Sequence, residues 1–209
     1  IVTGTNIVKI FGTGEEQVKA LNSVNAQIKR GEFTAVMGPS GSGKTTLLHV
    51  LSGMDSISSG SVKFMDKELS GLSEDGLADI RRTKMGFIFQ QPAMLKNLNL
   101  LDNIILPSLR DKKKNVSRVT EKARALMQKT GIGELEDRDI SRASGGQLQR
   151  AGICRALMNH PEILFADEPT GALNSKSAEE IMGLLVDINR NGTAILLVTH
   201  DALVAAKAD

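Results

Sequence analysis

Gly38-Pro39-Ser40-Gly41-Ser42-Gly43-Lys44-Thr45 decides the fold of this 209-residue chain. The stretch matches the phosphate-binding pattern G-x-x-x-x-G-K-[ST] in full. The apolar residues 33–37 before it predict a buried strand, and residues 44–51 after it predict a helix. Glycines let the backbone wrap tightly with its N–H groups pointing inward, and a helix N-terminus adds positive potential. The sequence therefore predicts a strand-to-helix loop that binds the phosphates of a nucleotide.

The composition is that of an ordinary globular protein. Hydrophobic residues make up 41% and charged residues 24% of the chain, and its length suits one α/β domain. The net charge of +2 gives no indication of a nucleic-acid partner. The longest strongly apolar run, residues 194–198, is far shorter than the roughly 20 residues of a membrane span. We expect no signal peptide, and a membrane span would have to come from another chain or segment.

Two minor features receive a structural interpretation. Cys154 is the only cysteine, which leaves no internal disulfide, and we expect it to be a small packing residue. Three lysines at positions 112–114, beside Arg110, favour a solvated basic loop over a site for anionic headgroups.

Apolar runs that alternate with amphipathic stretches predict a mostly parallel sheet covered by helices on both faces. Further buried strands are predicted at residues 85–89, 163–166 and 193–199, and helices at residues 146–158 and 175–189. Residues 1–35 and 61–69 predict short strands of a small antiparallel part. The predicted fold class is therefore α/β.

A helical insertion is predicted within the parallel part. Residues 95–132 are expected to be mainly helical, because apolar residues recur there at helical spacing. We expect a single domain over residues 1–209, with a helical subdomain at about residues 91–145. The chain is expected to stop within a helix at Asp209 and to be truncated there.

Two adjacent carboxylates, Asp167 and Glu168, follow the apolar run at residues 163–166. Successive strand residues point to opposite sides, so the two carboxylates can have different roles. We expect Asp167 to hold Mg²⁺ together with the hydroxyl of Thr45. We expect Glu168 to face the γ-phosphate and to polarise the attacking water as a general base. Lys44 would reach the β- and γ-phosphates.

Residues 143–147, Ala-Ser-Gly-Gly-Gln, resemble the LSGGQ signature of ABC ATPases. Ser144 suits a helix N-cap, and the glycines after it expose N–H groups at a helix start. The other motifs of that family follow in the expected order. They are Phe11 as an adenine-stacking aromatic, Gln90 as the Q-loop glutamine, residues 167–170 as the Walker B segment, residues 171–174 as the D-loop and His200 as the switch histidine.

The resemblance implies a P-loop NTPase core, a helical subdomain that carries the signature, and ATP and Mg²⁺ as ligands. The residues implied in ATP binding are Phe11, Gly38, Pro39, Ser40, Gly41, Ser42, Gly43, Lys44, Thr45, Thr46, Gln90, Ser144, Gly145, Gly146, Gln147 and His200. Those implied in Mg²⁺ binding are Thr45, Gln90 and Asp167. Those implied in ATP hydrolysis are Glu168, His200, Lys44 and Gln90.

The resemblance also implies a dimer of identical or pseudo-symmetric ATPase chains. The chains pair head-to-tail, so that the signature of one covers the ATP held by the other. Two residues depart from the family pattern: Ala143 replaces the usual signature Leu, and Asn174 replaces the usual D-loop Asp. These departures bear on the rate of hydrolysis and on the coupling between the two sites, and not on ATP binding.

Residues 165–173 and 198–201 resemble a subgroup of macrolide exporters, lipoprotein-release transporters and bacitracin-type peptide-resistance transporters. ATPases of this subgroup drive FtsX-like transmembrane permeases. The resemblance therefore implies a motor subunit at the cytoplasmic face of the cell membrane, which serves the export of peptides or antibiotics or resistance to them.

Three alternative functions remain open at this point. The first is a regulatory ATPase of the cell-division type that transports no cargo. The second is a nucleic-acid-repair ABC ATPase; those proteins carry coiled-coil or zinc-binding insertions, whereas this sequence has no heptad arms and no paired cysteines. We therefore expect no nucleic-acid partner. The third is a P-loop small-molecule kinase, which would leave the signature and His200 without a role.

Overall fold

The computed structural model describes residues 1–110 and 115–208. The three lysines at positions 112–114 and the chain end at Asp209 lie outside the described residues. The strands are β1 (Val2–Phe11), β2 (Val18–Ile28), β3 (Phe33–Met37), β4 (Ser59–Phe64), β5 (Lys67–Glu68), β6 (Met85–Phe89), β7 (Ile163–Asp167) and β8 (Ala194–Thr199). The α-helices are α1 (Lys44–Leu51), α2 (Glu74–Lys84), α3 (Leu100–Leu109), α4 (Val116–Lys129), α5 (Gly145–Leu157), α6 (Ser175–Arg190) and α7 (Ala202–Ala205).

The described strands form two sheets with different strand directions. β2, β1, β4 and β5 lie side by side in an antiparallel sheet, and β3, β8, β7 and β6 lie side by side in a parallel sheet. The predicted α/β fold, with a parallel core and a small antiparallel part, is confirmed. Because parallel strands all end at the same edge, the polar residues that follow β3, β6, β7 and β8 meet there.

Helices cover both faces of the parallel sheet, which explains why its strands are apolar over most of their length. Phe165 of β7 shares a core with Leu48 and Leu51 of α1. The next residue of the strand, Ala166, belongs to a second core that contains Ile181 of α6. Full burial of each large aliphatic side chain stabilises the fold by about 1.5–3 kcal/mol. These two cores hold the strand ends in fixed positions.

A third core joins α3, α4 and α5. Ile104 of α3, Ala123 of α4 and Cys154 of α5 are each fully buried in it. The Sγ atom of Cys154 lies 3.2 Å from the hydroxyl of Thr130. Burial raises the pKa of the Cys154 thiol to about 11, so the thiol stays protonated at neutral pH. Cys154 therefore has the packing role that the sequence predicted. Among the described residues, no helix has both the length and the apolar character needed to cross a bilayer.

The segment before α3 is an irregular turn, whereas the sequence predicted mainly helical structure from residue 95. Asn103 is fully buried and holds this turn in place. Its Oδ1 accepts a hydrogen bond from the N–H of Leu95 at 2.7 Å, and its Nδ2 donates to the carbonyl of Asn99 at 2.9 Å. Such local side-chain bonds compete with the helical ladder. The bonds of Asn103 therefore hold the backbone of the turn that leads from the Gln90 segment into α3.

Two helices differ from the sequence prediction. α2 has no counterpart among the predicted elements, because it buries no residue and so lacks a clear apolar stripe. α7 ends at Ala205, before the last described residues, and the predicted helical chain end at Asp209 lies outside the described part of the chain. The N–H of Lys207 bonds the carbonyl of Val204, which closes α7 with a tighter turn.

Candidate functional site

The predicted phosphate loop connects β3 to α1 and depends on glycine for its shape. Gly41 and Gly43 adopt φ angles of +78° and +89°, in the left-handed region that favours glycine. A Cβ atom on Gly43 would lie 2.6 Å from the carbonyl oxygen of Ala20, so no larger residue fits there. A Cβ atom on Gly41 would meet nothing within 4 Å, because this side of the loop faces open space. The loop is a concave backbone surface of the kind that binds phosphate.

A cavity of about 920 Å³ lies against the concave side of this loop. It brings together predicted site residues from distant parts of the sequence, and these are Phe11, Pro39, Ser40, Gly41, Ser42, Gly43, Lys44, Thr45, Thr46, Gln90, Glu168 and His200. Gly38 begins the loop just outside the lining. A cavity of this size suits a nucleoside triphosphate.

Lys44 and Thr45, the first residues of α1, both make contacts at the cavity. The Nζ atom of Lys44 donates to the carbonyl of Pro39 at 2.8 Å, which keeps the ammonium over the loop. The hydroxyl of Thr45 donates to Oδ1 of Asp167 at 3.0 Å. Burial raises the pKa of the Asp167 carboxyl, and the hydrogen bond from Thr45 partly opposes that shift.

The pair of Thr45 and Asp167 has the chemistry of a magnesium site. Hydroxyl and carboxylate oxygens are ligands that Mg²⁺ prefers, and Mg²⁺ usually takes only one or two carboxylates beside phosphate oxygens and waters. The described part of the chain contains no cluster of three or more His, Cys, Asp or Glu side chains suited to a metal. The residues present therefore fit an ion held jointly with a phosphate ligand, and not an ion held by protein alone.

Glu168 leaves the line of β7 through an unusual backbone conformation. Its φ angle is +47°, which is uncommon for a residue other than glycine. Its N–H donates to the carbonyl of Val198 at 2.9 Å, and its carbonyl accepts from the N–H of Gly171 at 3.0 Å. The prediction that Asp167 and Glu168 point to opposite sides as successive residues of one strand is therefore corrected, because β7 already ends at Asp167. The two carboxylates diverge because the backbone turns between them.

His200 contacts Glu168 directly. The Nδ1 atom of His200 lies 2.7 Å from Oε1 of Glu168, and the hydroxyl of Thr199 lies 3.5 Å from Oε2. Against an ionised carboxylate, Nδ1 of the histidine is the hydrogen-bond donor. The strand ends of β7 and β8 therefore position a paired carboxylate and imidazole on the cavity wall.

Phe11 also lines the cavity and is 43% exposed. Its partner in the pairing of β1 with β2 is Val18, and Val18, Lys19 and Ala20 also line the cavity. No motif in the sequence marks these three residues. The Gly-Thr-Gly turn at residues 12–14 was the available signal, since a hairpin there brings the start of β2 next to Phe11.

The predicted signature residues lie outside this cavity. Ser144 caps α5: its Oγ accepts from the N–H of Gln147 at 3.3 Å, and Oε1 of Gln147 accepts from the N–H of Ser144 at 2.9 Å. These two reciprocal hydrogen bonds form a capping box, in which the side-chain oxygen of Gln147 is bonded within its own chain. Ser144 and Gly145 are exposed, while Gly146 packs near Ser177 of α6.

The two residues that depart from the family pattern have structural roles of their own. Ala143 is partly buried and packs against the third core. Asn174 caps α6, since its Oδ1 accepts from the N–H of Ser177 at 2.9 Å. The amide thus keeps the hydrogen bond that an aspartate would make, without the charge.

Two further residues connect α5, the helix that begins at the signature, to the segment around Gln90, and no sequence motif marks either of them. Gln149 of α5 is 1% exposed, and its Nε2 donates to the carbonyl of Phe89 at 3.0 Å. Arg155 of α5 donates to the carbonyl of Ala93 at 2.5 Å. The side chain of Gln90 lies beside Gly171, because a Cβ atom on that glycine would be 2.8 Å from its Nε2. Both ends of the Gln90 loop are therefore fastened to α5.

Comparison with known proteins gives matches over most of the chain. The profile of the ABC transporter family matches residues 21–171. The macrolide export ATP-binding/permease protein MacB of Chlorobaculum tepidum is 41% identical over 204 residues, which are 98% of this chain and 31% of that protein. The bacitracin export ATP-binding protein BceA of Halalkalibacterium halodurans is 43% identical over 207 residues, which are 99% of this chain and 81% of that protein. The chain thus spans less than a third of the length of that MacB relative.

Solved structures of ATP-binding cassettes and ABC transporter components also match this chain over its whole length. A dimeric ATP-binding cassette in a post-hydrolysis state, bound to ADP and Pi, matches with a TM-score of 0.92 and 38% identity, over 100% of this chain and 91% of that chain. The cbiO1 protein from Clostridium perfringens, part of the ABC transporter complex cbiONQ, matches with a TM-score of 0.87 and 29% identity, over 100% of this chain and 82% of that chain.

Proposed function

Because this chain belongs to the ABC transporter family and is an ATP-binding, ATP-hydrolysing cassette of that family, we propose that it is the motor subunit of an exporter for peptides or antibiotics. One observation carries the proposed site: a single cavity joins the phosphate loop, the Glu168–His200 pair and an exposed aromatic ring. The names of the relatives, which concern macrolide and bacitracin export, support the class of cargo.

In the proposed reaction, different residues of the cavity wall have different roles. Backbone N–H groups of the loop and the ammonium of Lys44 hold the triphosphate. Thr45, Asp167 and Gln90 would hold Mg²⁺, which neutralises charge on the β- and γ-phosphates when it is bound. Glu168 orients the attacking water and accepts its proton as the new P–O bond forms and the bond to the ADP oxygen breaks. His200 holds the Glu168 carboxylate in place through the contact at 2.7 Å.

We propose that the signature residues act on the nucleotide of a second copy. Ser144 and Gly145 are exposed at the N-terminus of α5, which carries partial positive charge, and neither lines the cavity of its own chain. A symmetric head-to-tail dimer would bring each α5 N-terminus to the γ-phosphate in the partner cavity. The dimeric state of the solved cassette with ADP and Pi supports this arrangement.

Mixing two inactive variants tests the shared site. We expect Lys44→Ala and Ser144→Arg each to abolish most hydrolysis alone, while their mixture regains roughly one quarter of wild-type activity. Half of randomly paired dimers are mixed, and each mixed dimer keeps one of two sites intact. Phosphate release measured against mixing ratio gives the result.

The matched control is a mixture of Lys44→Ala with Glu168→Gln. Both of these changes lie in the cavity, so no mixed dimer has an intact site and no activity should return. Recovery in this control, or no recovery with Ser144→Arg in folded protein, would contradict a site shared between chains.

We place the permease contact on the groove between α2, β6 and α3. The groove encloses about 430 Å³ and is lined by apolar and cationic side chains that include Met54, Phe87, Leu106, Arg81 and Arg155. Arg155 also bonds the segment after Gln90, so movement in the cavity can reach the groove. A permease loop seated there would place this chain at the cytoplasmic face of the membrane.

Leu106→Asp tests this contact, because Leu106 is 42% exposed in the groove. We expect at least a tenfold loss of the membrane chain that co-purifies with the tagged full-length protein, since a carboxylate would replace apolar contact in the interface. The isolated domain should keep its ATPase activity. Leu203→Asp, at a leucine that is 81% exposed outside the groove, is the control and should retain the partner. Equal retention by both variants would place the permease elsewhere.

A further inference from the structure

A buried cation lies against the aromatic ring of the cavity. Lys9 of β1 is only 7% exposed, although lysine rarely leaves water unless it is paired. Its Nζ donates to Oδ1 of Asp55 at 2.7 Å and to the carbonyl of Ser56 at 2.6 Å. The same Nζ lies 4.9 Å from the centroid of the Phe11 ring. The partners of Lys9 are therefore an anion, a carbonyl and a π-face.

Lys9 and the cavity contact Phe11 in different ways. Phe11 is 43% exposed and lines the cavity, whereas Lys9 is absent from the lining. The cation thus occupies one face of the ring, and the exposed part of the ring meets the cavity. A cation at this distance is attracted by the negative face of the ring and draws its electron density toward itself. The opposite face then becomes less repulsive to an electron-rich purine.

The partners of Lys9 also tie the ring to the phosphate loop. Asp55 and Ser56 lie in the segment that follows α1, and the N–H of Asp55 donates to the carbonyl of His49 in α1 at 3.2 Å. The N–H of Ile10, next to Phe11, donates to Oγ of Ser58 at 2.9 Å. Because α1 begins at Lys44, these bonds link the ring through one helix to the phosphate loop.

We propose that Lys9 is a positioning residue for base recognition, which acts through Phe11 by fixing the ring and polarising it. The inference rests on the proposed function, because it takes Phe11 as the platform on which adenine stacks. Lys9 itself does not touch the nucleotide. Its effect should therefore appear in the affinity for nucleotides with a base and not in the affinity for phosphate chains alone.

Lys9→Gln removes the charge and keeps a donor for the Ser56 carbonyl. We expect the Kd for Mg-ATP to rise about 2-fold to 30-fold, the range that corresponds to a cation–π contact. The Kd for inorganic tripolyphosphate should stay at the wild-type value, and KM for ATP should rise more than kcat falls. Phe11→Ala should weaken Mg-ATP binding by about 5-fold to 100-fold, and Lys9→Gln should add nothing in the Phe11→Ala background.

Two further variants keep the test decisive. Lys9→Met with Asp55→Asn removes both charges, so no unpaired carboxylate remains, and should give the same selective loss if Lys9→Gln folds poorly. Lys63→Gln removes an exposed lysine from the neighbouring strand β4 and should leave both affinities unchanged.

Four outcomes would overturn the inference. Equal weakening of Mg-ATP and tripolyphosphate would make Lys9 a general structural residue. An effect of Lys9→Gln that persists undiminished in the Phe11→Ala background would show that it does not act through the ring. Normal Mg-ATP affinity in Lys9→Gln, together with a strong effect of Phe11→Ala, would remove Lys9 alone and leave the proposed function intact. Normal affinity in Phe11→Ala would instead remove the adenine platform and the inference with it.

Discussion

Glu168→Gln should lower the rate of ATP hydrolysis about 100-fold to 10,000-fold, the usual contribution of a general base. The amide has nearly the shape of the carboxylate, and its oxygen can still accept a hydrogen bond from His200, whose Nδ1 lies 2.7 Å away in the parent chain. It does not accept a proton from the attacking water. Phosphate release at saturating Mg-ATP measures the loss, and an equilibrium titration should show that ATP still binds.

The same variant should accumulate ATP-bound dimers. Hydrolysis removes the γ-phosphate that joins the two chains in the proposed arrangement, so blocking it prolongs the closed state. Size-exclusion chromatography with ATP measures the dimer fraction. Glu179→Gln, at an exposed carboxylate of α6, is the matched control and should behave as the parent chain does. Turnover at the parent rate in Glu168→Gln would refute the assignment of Glu168 as the base.

Lys44→Ala should weaken Mg-ATP binding by about 10-fold to 150-fold, since a hydrogen bond to a charged group contributes about 1.5–3 kcal/mol. The ammonium lies over the loop, 2.8 Å from the carbonyl of Pro39, and is the one cationic group among the loop residues at positions 38–45. Alanine removes this charge and leaves the glycine conformations of the loop unchanged. Isothermal titration with a non-hydrolysable ATP analogue measures the change.

The control for Lys44→Ala is Lys176→Ala, at an exposed lysine in the first turn of α6. It changes the net charge equally and should leave the affinity unchanged. An unaltered affinity in Lys44→Ala, in protein whose thermal unfolding matches the parent chain, would contradict the proposed role of the loop lysine.

Several parts of this protein were predictable from short stretches of sequence. The phosphate loop was predictable because its glycines and Lys44 are consecutive, and each φ angle there is a local property. The strands at residues 33–37 and 85–89 have the predicted bounds, because an apolar run between turn residues encodes a strand without reference to the rest of the chain. The cap at Ser144 was predictable for the same reason.

Other parts depended on contacts between residues distant in sequence. The pairing of Lys9 with Asp55 joins residues 46 positions apart, and neither residue belongs to a motif. Gln149 reaches the carbonyl of Phe89 across 60 positions. The divergence of Asp167 and Glu168 comes from a backbone turn that the bonds to Val198 and Gly171 hold, and not from the alternation of a strand.

The chemistry available at each strand end thus follows from the sequence, because residue type and local backbone preference are properties of neighbouring positions. The tertiary structure alone decided which of these groups meet. It set the hairpin register that brings Val18 beside Phe11, the burial of Lys9 and the separation of Ser144 from the cavity of its own chain. These features depend on packing and strand pairing across the whole fold, and no short stretch of sequence encodes such long-range interactions.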